Sequence, residues 1–330
     1  MNDSIFSMIP LRDLSVIKIS GADAADFLHG QLTQDIVGLP AGQARLAAYC
    51  TPKGRLLATL VIWRDPAQPD ELTALVKTDI AEALVKRLSM FVLRAKVKLA
   101  IEPNTVLGIG LPAGSANTAA SADASTGAQK IPGERPAPPK DAPAWTVVQT
   151  NQGTWISAPH ADADTQRWWL VAVPDSSLQA QPATGSQTAW QAADIAAGLP
   201  WIEAATQDVF IPQTLNLDLI EGVHFTKGCY PGQEVVARSH YRGTVKRRMA
   251  YGIADSAEAS APAPGADIFD TARPKSPSGR IINVAVHDGQ AHMLLEIHLA
   301  DLETAEYRLN SIEGAQIGMQ PLPYRIDEAR

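Results

Sequence analysis

The chain has 330 residues, of which 45% are hydrophobic, and it carries a formal net charge of −7 at pH 7. A chain of this length exceeds what one hydrophobic core usually organises, so two or three domains are expected. The acidic balance argues against a protein whose main task is to coat nucleic acid. The sequence shows neither a signal peptide nor a run of about 20 apolar residues that could span a bilayer. We therefore expect a cytoplasmic protein without membrane contact.

Residues 1–101 combine strand-like and helix-like patterns. The runs with strand-like alternation are residues 16–19, 56–63, 72–76 and 92–101. Ser20 precedes a helix-like run whose apolar face is formed by Phe27, Leu28, Leu32 and Ile36. A second helix is predicted where Asp79 and Glu82 resemble a capping box. Its apolar residues recur at four-residue spacing: Ile80, Leu84 and Leu88. Strands that flank helices in this order predict an α+β fold.

Residues 112–144 differ from the rest of the chain in composition. Ala, Pro, Gly, Ser and Thr dominate, and no apolar period survives. Because burial could not compensate for the entropy of ordering such a segment, we predict a disordered insertion at about 112–144. Strand-like patterns return at residues 145–155 and 168–173. The tryptophans in these runs are predicted to be core residues rather than stacking platforms: Trp155, Trp168 and Trp169.

The ten residues 225–234, FTKGCYPGQE, contain a thiol, a cation, two glycines, an amide and a carboxylate. Lys227 lies two residues before Cys229, and a nearby ammonium together with exposed backbone N–H groups favours the thiolate over the thiol. The sulfur is therefore a candidate nucleophile or soft-metal ligand. The alternative is a buried cysteine that packs as a small apolar residue. The two glycines suggest a sharp turn that lets a ligand approach the backbone.

A basic patch follows this motif. Residues 235–254 contain no acid and five cations: Arg238, Arg242, Lys246, Arg247 and Arg248. Such a patch either protects a strand edge or attracts an anion, such as the glutamate tail of a folate or the phosphates of RNA. After residue 246 short apolar-alternating runs are separated by Gly, Pro and Asp, which predicts a small barrel or sandwich.

The cysteines and histidines do not predict a metal centre. Cys50 and Cys229 belong to no CxxC or HxxxH unit, and the seven histidines are scattered along the chain. We expect free thiols, although the spacing of the two cysteines also permits pairing. A Cys229–His224 pair is conceivable, but no third orienting residue is identified. Phosphate-loop, dinucleotide-binding and serine-hydrolase motifs are absent from the sequence.

Several segments resemble the YgfZ family of folate-binding proteins, relatives of the glycine-cleavage aminomethyltransferase that support iron–sulfur enzymes. KGCYPGQE (227–234) carries the resemblance. The supporting segments are 27–35 (FLHGQLTQD), 49–55 (YCTPKGR), 210–213 (FIPQ), 215–218 (LNLD) and 236–238 (VAR). The resemblance runs from about residue 10 to the end and is interrupted by the insertion.

The resemblance implies a three-domain, aminomethyltransferase-like architecture. Residues 1–52 and 188–245 would form a discontinuous folate-binding domain. Residues 53–187 would form a middle α+β domain that holds the insertion. Residues 246–330 would form a C-terminal β-barrel.

The resemblance also implies a cofactor, partners and a site. The cofactor would be tetrahydrofolate or a related reduced folate, and the partners would be iron–sulfur assembly or client proteins. Cys229 would be the functional thiol. The expected folate-binding residues are Lys227, Gly228, Tyr230, Gly232, Gln233, Glu234 and Arg238.

Alternative functions remain open at this point. One is a folate-dependent aminomethyltransferase, which needs a carboxylate near the pterin amine, and Asp79 is the nearest candidate. Its surroundings lack the Asn-rich context of the transferases, which favours the iron–sulfur role. Another alternative is a tRNA-binding regulator that uses the Arg238–Arg248 basic patch, suggested by the family's link with tRNA thiomethylation. At the position of Asp194, family members often have a basic residue. An anion contact at this position is therefore in doubt.

Overall fold

The computed structural model describes most of the chain. The described residues are 7–65, 68, 70–112, 128–131, 135–139, 141–161, 165–174, 176–179, 181–241, 243, 245–257 and 262–326. Within them, no helix is long and apolar enough to cross a membrane.

The regular elements are mostly short strands. The strands are β1 (Ser7–Pro10), β2 (Leu14–Ser20), β3 (Ala44–Cys50), β4 (Leu56–Arg64), β5 (Glu71–Lys77), β6 (Lys98–Glu102), β7 (Thr105–Pro112), β8 (Ala128–Ile131), β9 (Arg135–Pro139), β10 (Val147–Thr150), β11 (Gly153–Ala158), β12 (Thr165–Ala172), β13 (Arg247–Asp255), β14 (Asp267–Asp270), β15 (Gly279–His287), β16 (Gln290–His298), β17 (Tyr307–Leu309) and β18 (Gly318–Gln320). The α-helices are α1 (Ala24–His29), α2 (Thr78–Ser89), α3 (Gln187–Ala196) and α4 (Gln233–Tyr241). Short 3-10 helices span Ala204–Thr206, Pro212–Leu215 and Leu299–Asp301.

The strands form three larger sheets in which neighbours run antiparallel. The first has the order β3-β4-β5-β2-β6, the second β1-β7-β12-β11-β10 and the third β17-β14-β15-β16-β13-β18. The fold is thus mixed helix and sheet, as predicted. The predicted boundary at 52/53 falls between β3 and β4, which pair along their length from Ala44–Trp63 to Cys50–Leu56. The division into three domains stays a prediction.

The C-terminal sheet is strongly curled. The two edge strands of this sheet are β17 and β18. The segment just before β18 hydrogen-bonds to β17. Ile317 N–H donates to the Tyr307 carbonyl over 2.9 Å, and Leu309 N–H donates to the Ala315 carbonyl over 3.0 Å. These bonds bring the two edges towards each other, which gives a half-barrel, and complete closure stays a prediction.

Helix α3 and the segment after it join the sheets. The Ser186 hydroxyl accepts from the Ala189 N–H and so caps α3. Trp190 of α3 packs on Gly108 of β7, where a Cβ atom would lie 2.5 Å from the indole. In the third sheet, the Asn283 amide both accepts from and donates to the backbone of Trp201, over 2.9 and 2.7 Å. The backbone near α3 is therefore fixed to the second and third sheets.

Buried aromatic side chains occupy the second sheet and its contacts with α3. Trp155, Trp168 and Trp169 are at most 1% exposed, which confirms the prediction that they are core residues. Trp169 packs edge-on against Trp190 and Trp201 with ring centroids 6.4 and 6.3 Å apart. Such edge-to-face contacts add to the free energy gained by burial.

Two local predictions differ from the structure. Helix α2 begins at Thr78 and has no side-chain cap, so the predicted capping box is wrong. The Asp79 carboxylate instead accepts from the Ala204 N–H over 2.8 Å, a partner distant in sequence. Of the predicted strand at 92–101, only the part from Lys98 onward is strand, because residues 90–97 form turns.

The predicted disordered insertion at 112–144 falls largely outside the described residues. Within it, Ala128–Ile131 and Arg135–Pro139 pair as the two-stranded sheet β8-β9. The prediction of an irregular chain is therefore wrong for these two short segments.

Candidate functional site

Lys227 is buried and faces the end of α1. Its side chain is 8% exposed, and its ammonium donates to the carbonyl oxygens of His29 and, over 2.9 Å, of Leu32. The ammonium also lies 4.7 Å from the centre of the Tyr230 ring. Burial lowers the pKa of Lys227 to about 8. Lys227 thus ties the motif to the last residue of α1, His29, and to Leu32 in the segment after it.

The two cysteines occupy opposite environments. Cys229 is exposed, whereas Cys50 is 1% exposed in β3, and both are free thiols. Burial raises the pKa of Cys50 to about 12. Cys229 is therefore the thiol that a reagent or partner can reach, and Cys50 packs as an apolar residue.

A histidine that the sequence did not single out lies beside the thiol segment. A Cβ atom on Gly228 would lie 3.5 Å from His29 Nε2. His29 Nδ1 lies 3.1 Å from an Asp35 carboxylate oxygen. The N–H of Gly38 lowers the pKa of Asp35, and the nearby charges of His29 and Arg45 lower it further. Asp35 and the His29 ring therefore lie side by side, next to the backbone that carries Cys229.

The glycine turn of the motif packs against a second turn from a distant segment. Gly232 has φ +82°, and a Cβ atom there would lie 2.5 Å from the Thr51 carbonyl oxygen and 2.7 Å from Gly54 Cα. Gly54 has φ +73° and packs on Val235. Both positions require glycine because of their backbone conformation and the close approach of the chains. Two segments that carry the family resemblance, 49–55 and 227–234, are therefore in direct contact.

The remaining predicted residues lie around helix α4. Tyr230 is buried, and burial raises the pKa of its hydroxyl. Gln233 begins α4, while Glu234 and Arg238 are exposed and form an ion pair over 2.7 Å. The predicted folate-binding residues are thus close in sequence, but some of them are buried and others face solvent. Their roles stay a prediction.

Two adjacent cavities share Trp145 in their walls. The larger, about 660 Å³, is lined by residues of the segments 141–145, 159–160, 197–199, 219–221 and 323–324, together with Gln166. The smaller, about 530 Å³, is lined by residues of the segments 43–46, 144–145, 218–221 and 223–225, together with Gln34 and His240. Both share Ala144, Trp145, Ile220 and Glu221, so they are adjacent.

Trp145, which lines both cavities, is held by backbone hydrogen bonds and a ring contact. Its backbone has φ +71°, its carbonyl accepts from Ala44 N–H over 2.7 Å, and its N–H donates to the Ser157 carbonyl over 2.8 Å. The indole stacks on Trp169 with centroids 6.2 Å apart. A half-buried aromatic ring in the walls of two cavities is suited to packing against a flat ligand.

Charged and aromatic groups line the smaller cavity. Asp218 is part of its wall and forms a two-pronged ion pair with Arg248, over 2.5 and 3.0 Å. Phe225 stacks on His240 with centroids 3.7 Å apart. Arg45 also lines the cavity and brings a cation to it, while its guanidinium donates to the carbonyls of Asp35 and Gly38 and lies 4.0 Å from the Asp35 carboxylate. The same cavity therefore presents groups for hydrogen bonds, stacking and an anionic end.

The predicted basic patch is smaller than expected. Arg248 is 5% exposed and paired with Asp218, so it is not a surface cation. Arg247 lies 3.5 Å from the Glu296 carboxylate, and Arg238 is paired with Glu234. Lys246 is exposed, and Arg242 lies outside the described residues. Alternation along β13 explains the difference, since neighbouring strand residues face opposite sides of the sheet.

Two other residues noted in the sequence have structural roles. Asp194 is buried and pairs with Arg167 over 2.5 Å, so it contacts no external anion. His224 lines the smaller cavity, and its Nδ1 lies 3.5 Å from the Thr226 hydroxyl.

Over the described residues, no group of three or more His, Cys, Asp or Glu side chains could hold a metal ion.

Sequence reasoning missed the cavity residues Trp145, Glu221 and Arg45. Trp145 and Arg45 lie outside any motif, and Glu221 has only one local signal, a φ of +58° in a turn before Gly222. Because the cavity walls come from segments far apart in the chain, local spacing could not reveal them.

Known proteins resemble the chain in sequence and in fold. No protein-family model matches it. A "tRNA-modifying protein YgfZ" from Yersinia pseudotuberculosis serotype O:1b (strain IP 31758) is 30% identical over 331 residues, covering 98% of this chain and 93% of that protein. Another from Yersinia pestis (strain Pestoides F) is 29% identical with the same coverage.

A solved structure has the same fold. The glycine cleavage system aminomethyltransferase T from Bartonella henselae superimposes with a TM-score of 0.68 over 98% of this chain and 87% of that one, at 14% sequence identity. The chain therefore has an aminomethyltransferase-like fold, and its sequence similarity over almost the whole length shows that it belongs to the YgfZ family of tRNA-modifying proteins.

Proposed function

We propose that this protein is a cytoplasmic factor that binds a reduced folate and supports the assembly or repair of iron–sulfur enzymes, including those of tRNA thiomethylation. The observation that carries the proposal is the pair of adjacent cavities that share Trp145 in their walls. The folate would occupy these cavities, and Cys229 would act from the neighbouring surface. Tetrahydrofolate would supply a carrier of one-carbon units.

The cavities fit a folate in size and in chemistry. Volumes of about 660 and 530 Å³ lie within the range of sites for small molecules and cofactors. Trp145 offers an aromatic wall for the pterin ring. Glu221, whose carboxylate has no ion pair among the described residues, can accept from pterin N–H groups. Arg45 can bind a carboxylate of the glutamate tail.

Helix α4 connects the cavities with the cysteine motif. His240 near its C-terminal end lines the smaller cavity, and Gln233 at its N-terminal end follows Cys229 by four residues. The residues 227–234 do not line either of these two cavities. We therefore propose that Lys227, Tyr230 and Gly232 shape the backbone around Cys229, while Glu234 and Arg238 contact either the folate tail or a partner.

The partners of this function would be iron–sulfur assembly or client proteins. The relatives are named for tRNA modification, which agrees with clients in tRNA thiomethylation. Exposure of Cys229 supports a thiol that acts on a partner, since a buried thiol such as Cys50 could not reach one.

Aminomethyl transfer is the alternative, and the fold of the solved neighbour favours it. Such a transferase needs a carboxylate near the pterin amine. Asp79 accepts from the Ala204 backbone instead and does not line the two cavities, but Glu221 and Asp218 do line them. Release of one-carbon units from an aminomethyl carrier, measured with purified protein, would distinguish the two functions.

Calorimetric titration with tetrahydrofolate tests the proposal. We expect a dissociation constant below about 1 mM. Trp145→Ala and Arg45→Gln should each weaken the binding of folate about tenfold or more.

Cys229→Ser should bind folate as the wild type does but fail to restore iron–sulfur enzyme activity in cells that lack the native protein. Ile312→Ser, at an exposed position in the turn between β17 and β18, is the control. Absence of binding would refute the folate proposal, and full rescue by Cys229→Ser would refute the role of the thiol.

A further inference from the structure

An exposed apolar surface lies on the turn between α2 and β6. Leu93 is 86% exposed, Met90 62% and Phe91 46%. Three large exposed apolar side chains thus lie within four residues of one turn, and grouped apolar exposure in soluble proteins marks an interaction site more often than isolated exposed residues do. We call Met90, Phe91 and Leu93 the apolar corner.

The backbone holds the apolar corner in place. Phe91 N–H donates to the Leu88 carbonyl and Leu93 N–H to the Phe91 carbonyl, both over 3.0 Å. Lys96 N–H donates to an Asp23 carboxylate oxygen over 2.6 Å, which anchors the far side of the turn. The apolar side chains are therefore presented on a fixed turn, which lowers the entropy cost of binding.

A cavity of about 280 Å³ opens beside this corner. Its wall includes Leu57 and Leu84, and Met90 of the apolar corner forms part of its rim. The ring of Tyr49 also contributes, with the Arg87 guanidinium 6.0 Å from the ring centre. A concave, mainly apolar space of this size accommodates one or two apolar side chains of a partner.

The charged side chains of the segment that carries the corner are all positive, and the Asp23 carboxylate lies at its far side. No Asp or Glu occurs between Glu82 and Glu102, and this stretch contains five cations: Lys86, Arg87, Arg94, Lys96 and Lys98. Among the described residues, none of the five takes part in an ion pair. In a chain of net charge −7, this is a local excess of uncompensated cations.

We infer that the apolar corner and its cavity dock an acidic segment of a partner protein, with an apolar side chain of that segment inserted beside Met90. The cations require negative charge on the partner, and the cavity requires an apolar anchor. A protein segment with carboxylates on both sides of such an anchor meets both requirements. This surface is separate from the folate cavities, so the inference does not depend on the proposed function.

Fluorescence anisotropy with labelled peptides tests this inference. The probes are short peptides in which one Leu, Phe, Met or Trp is flanked on both sides by Glu and Asp, with matched peptides that carry Ser at the anchor. We expect at least one anchored peptide to bind with a dissociation constant below about 1 mM and its Ser counterpart to bind about tenfold more weakly. Raising the salt from about 0.05 to 0.5 M should weaken binding several-fold, because the cations are exposed.

Matched variants locate the binding. Leu93→Ser and Lys86→Gln should each weaken the peptide at least about fivefold. Ile312→Ser and Lys275→Gln, exposed residues of the C-terminal region, should leave it unchanged. All of these side chains are on the surface, and unchanged thermal unfolding of each variant would confirm that the fold is intact.

Other results would overturn the inference. If no anchored peptide binds, or if the control variants weaken binding as much as Leu93→Ser does, the surface is not a peptide site. Binding of unmodified tRNA that is lost in Lys86→Gln, without peptide binding, would assign the cations to RNA. A dimer in sedimentation that Leu93→Ser dissociates would show that a second copy of the chain covers the corner.

Discussion

Gly232 and Gly54, 178 positions apart in the chain, touch through their backbones: a Cβ atom on Gly232 would lie 2.7 Å from Gly54 Cα. Each has a positive φ, +82° and +73°. This contact joins the turn at residues 51–55 to the cysteine motif and so positions the backbone that carries Cys229.

Replacement of Gly232 should therefore be costly. We expect Gly232→Ala to lower the free energy of unfolding by about 2–5 kcal/mol, from backbone strain together with the clash against Thr51 and Gly54. Gly289→Ala is a matched control, because Gly289 has φ +74° but, chain neighbours aside, no atom of the described residues would lie within 4 Å of its Cβ. It should cost only about 1 kcal/mol. Urea unfolding measures both, and equal losses would show that the close packing contributes nothing.

The two thiols should differ greatly in reactivity. We expect iodoacetamide to modify Cys229 at pH 7.5 on the order of a hundredfold faster than Cys50, because Cys50 is buried and its pKa is raised to about 12. Mass spectrometry of the alkylated protein gives both rates. In urea the alkylation rates of the two cysteines should converge. This measurement is the control for the intrinsic reactivity of each thiol. Comparable rates in the folded protein would contradict the burial of Cys50.

Lys227 should make stability depend on alkaline pH. Burial lowers its pKa from 10.5 to about 8, so protonated Lys227 is destabilised in the folded state only. Between about pH 8 and 10.5 the unfolded chain holds this proton and the folded protein does not, so stability from this site rises with pH. The full effect would be about 3 kcal/mol.

Comparison with Lys227→Met isolates that effect. Cys50 and the tyrosines titrate in both proteins, so their contributions cancel in the difference. The free energy of unfolding of the wild type relative to the variant should increase between pH 7 and pH 10. An unchanged difference would show that Lys227 keeps its ordinary pKa, with the two carbonyl acceptors offsetting the cost of burial.

The buried ion pair at the smaller cavity should stabilise the fold far more than an exposed one. Asp218→Ala leaves Arg248 buried and unpaired, which should cost about 3–5 kcal/mol. Glu234→Ala breaks the exposed pair with Arg238 and should change stability by less than about 1 kcal/mol. Urea unfolding tests both variants. If the double variant Asp218→Leu with Arg248→Met is no more stable than Asp218→Ala, the loss does not arise from the unpaired charge.

Local sequence patterns predicted much of the secondary structure. The alternating run at 56–63 lies in β4. The apolar residues at four-residue spacing, Ile80, Leu84 and Leu88, form the buried side of α2. These predictions succeeded because a strand or helix that covers a core must repeat its apolar residues with its own period. The predicted capping box at the start of α2 is wrong because the Asp79 carboxylate accepts from the Ala204 N–H instead. No local pattern encodes this contact.

The sequence by itself determined the family, the position of the cysteine motif and the presence of two thiols. Only the tertiary structure decided which thiol is exposed, that Lys227 donates to the carbonyls of His29 and Leu32, and that Arg248 is buried against Asp218. It also decided where the cavities lie, since Trp145 and Glu221 meet through packing of distant segments. The physical reason is that exposure, charge pairing and cavity shape depend on contacts between residues far apart in the chain, whereas periodicity and motifs depend on neighbours.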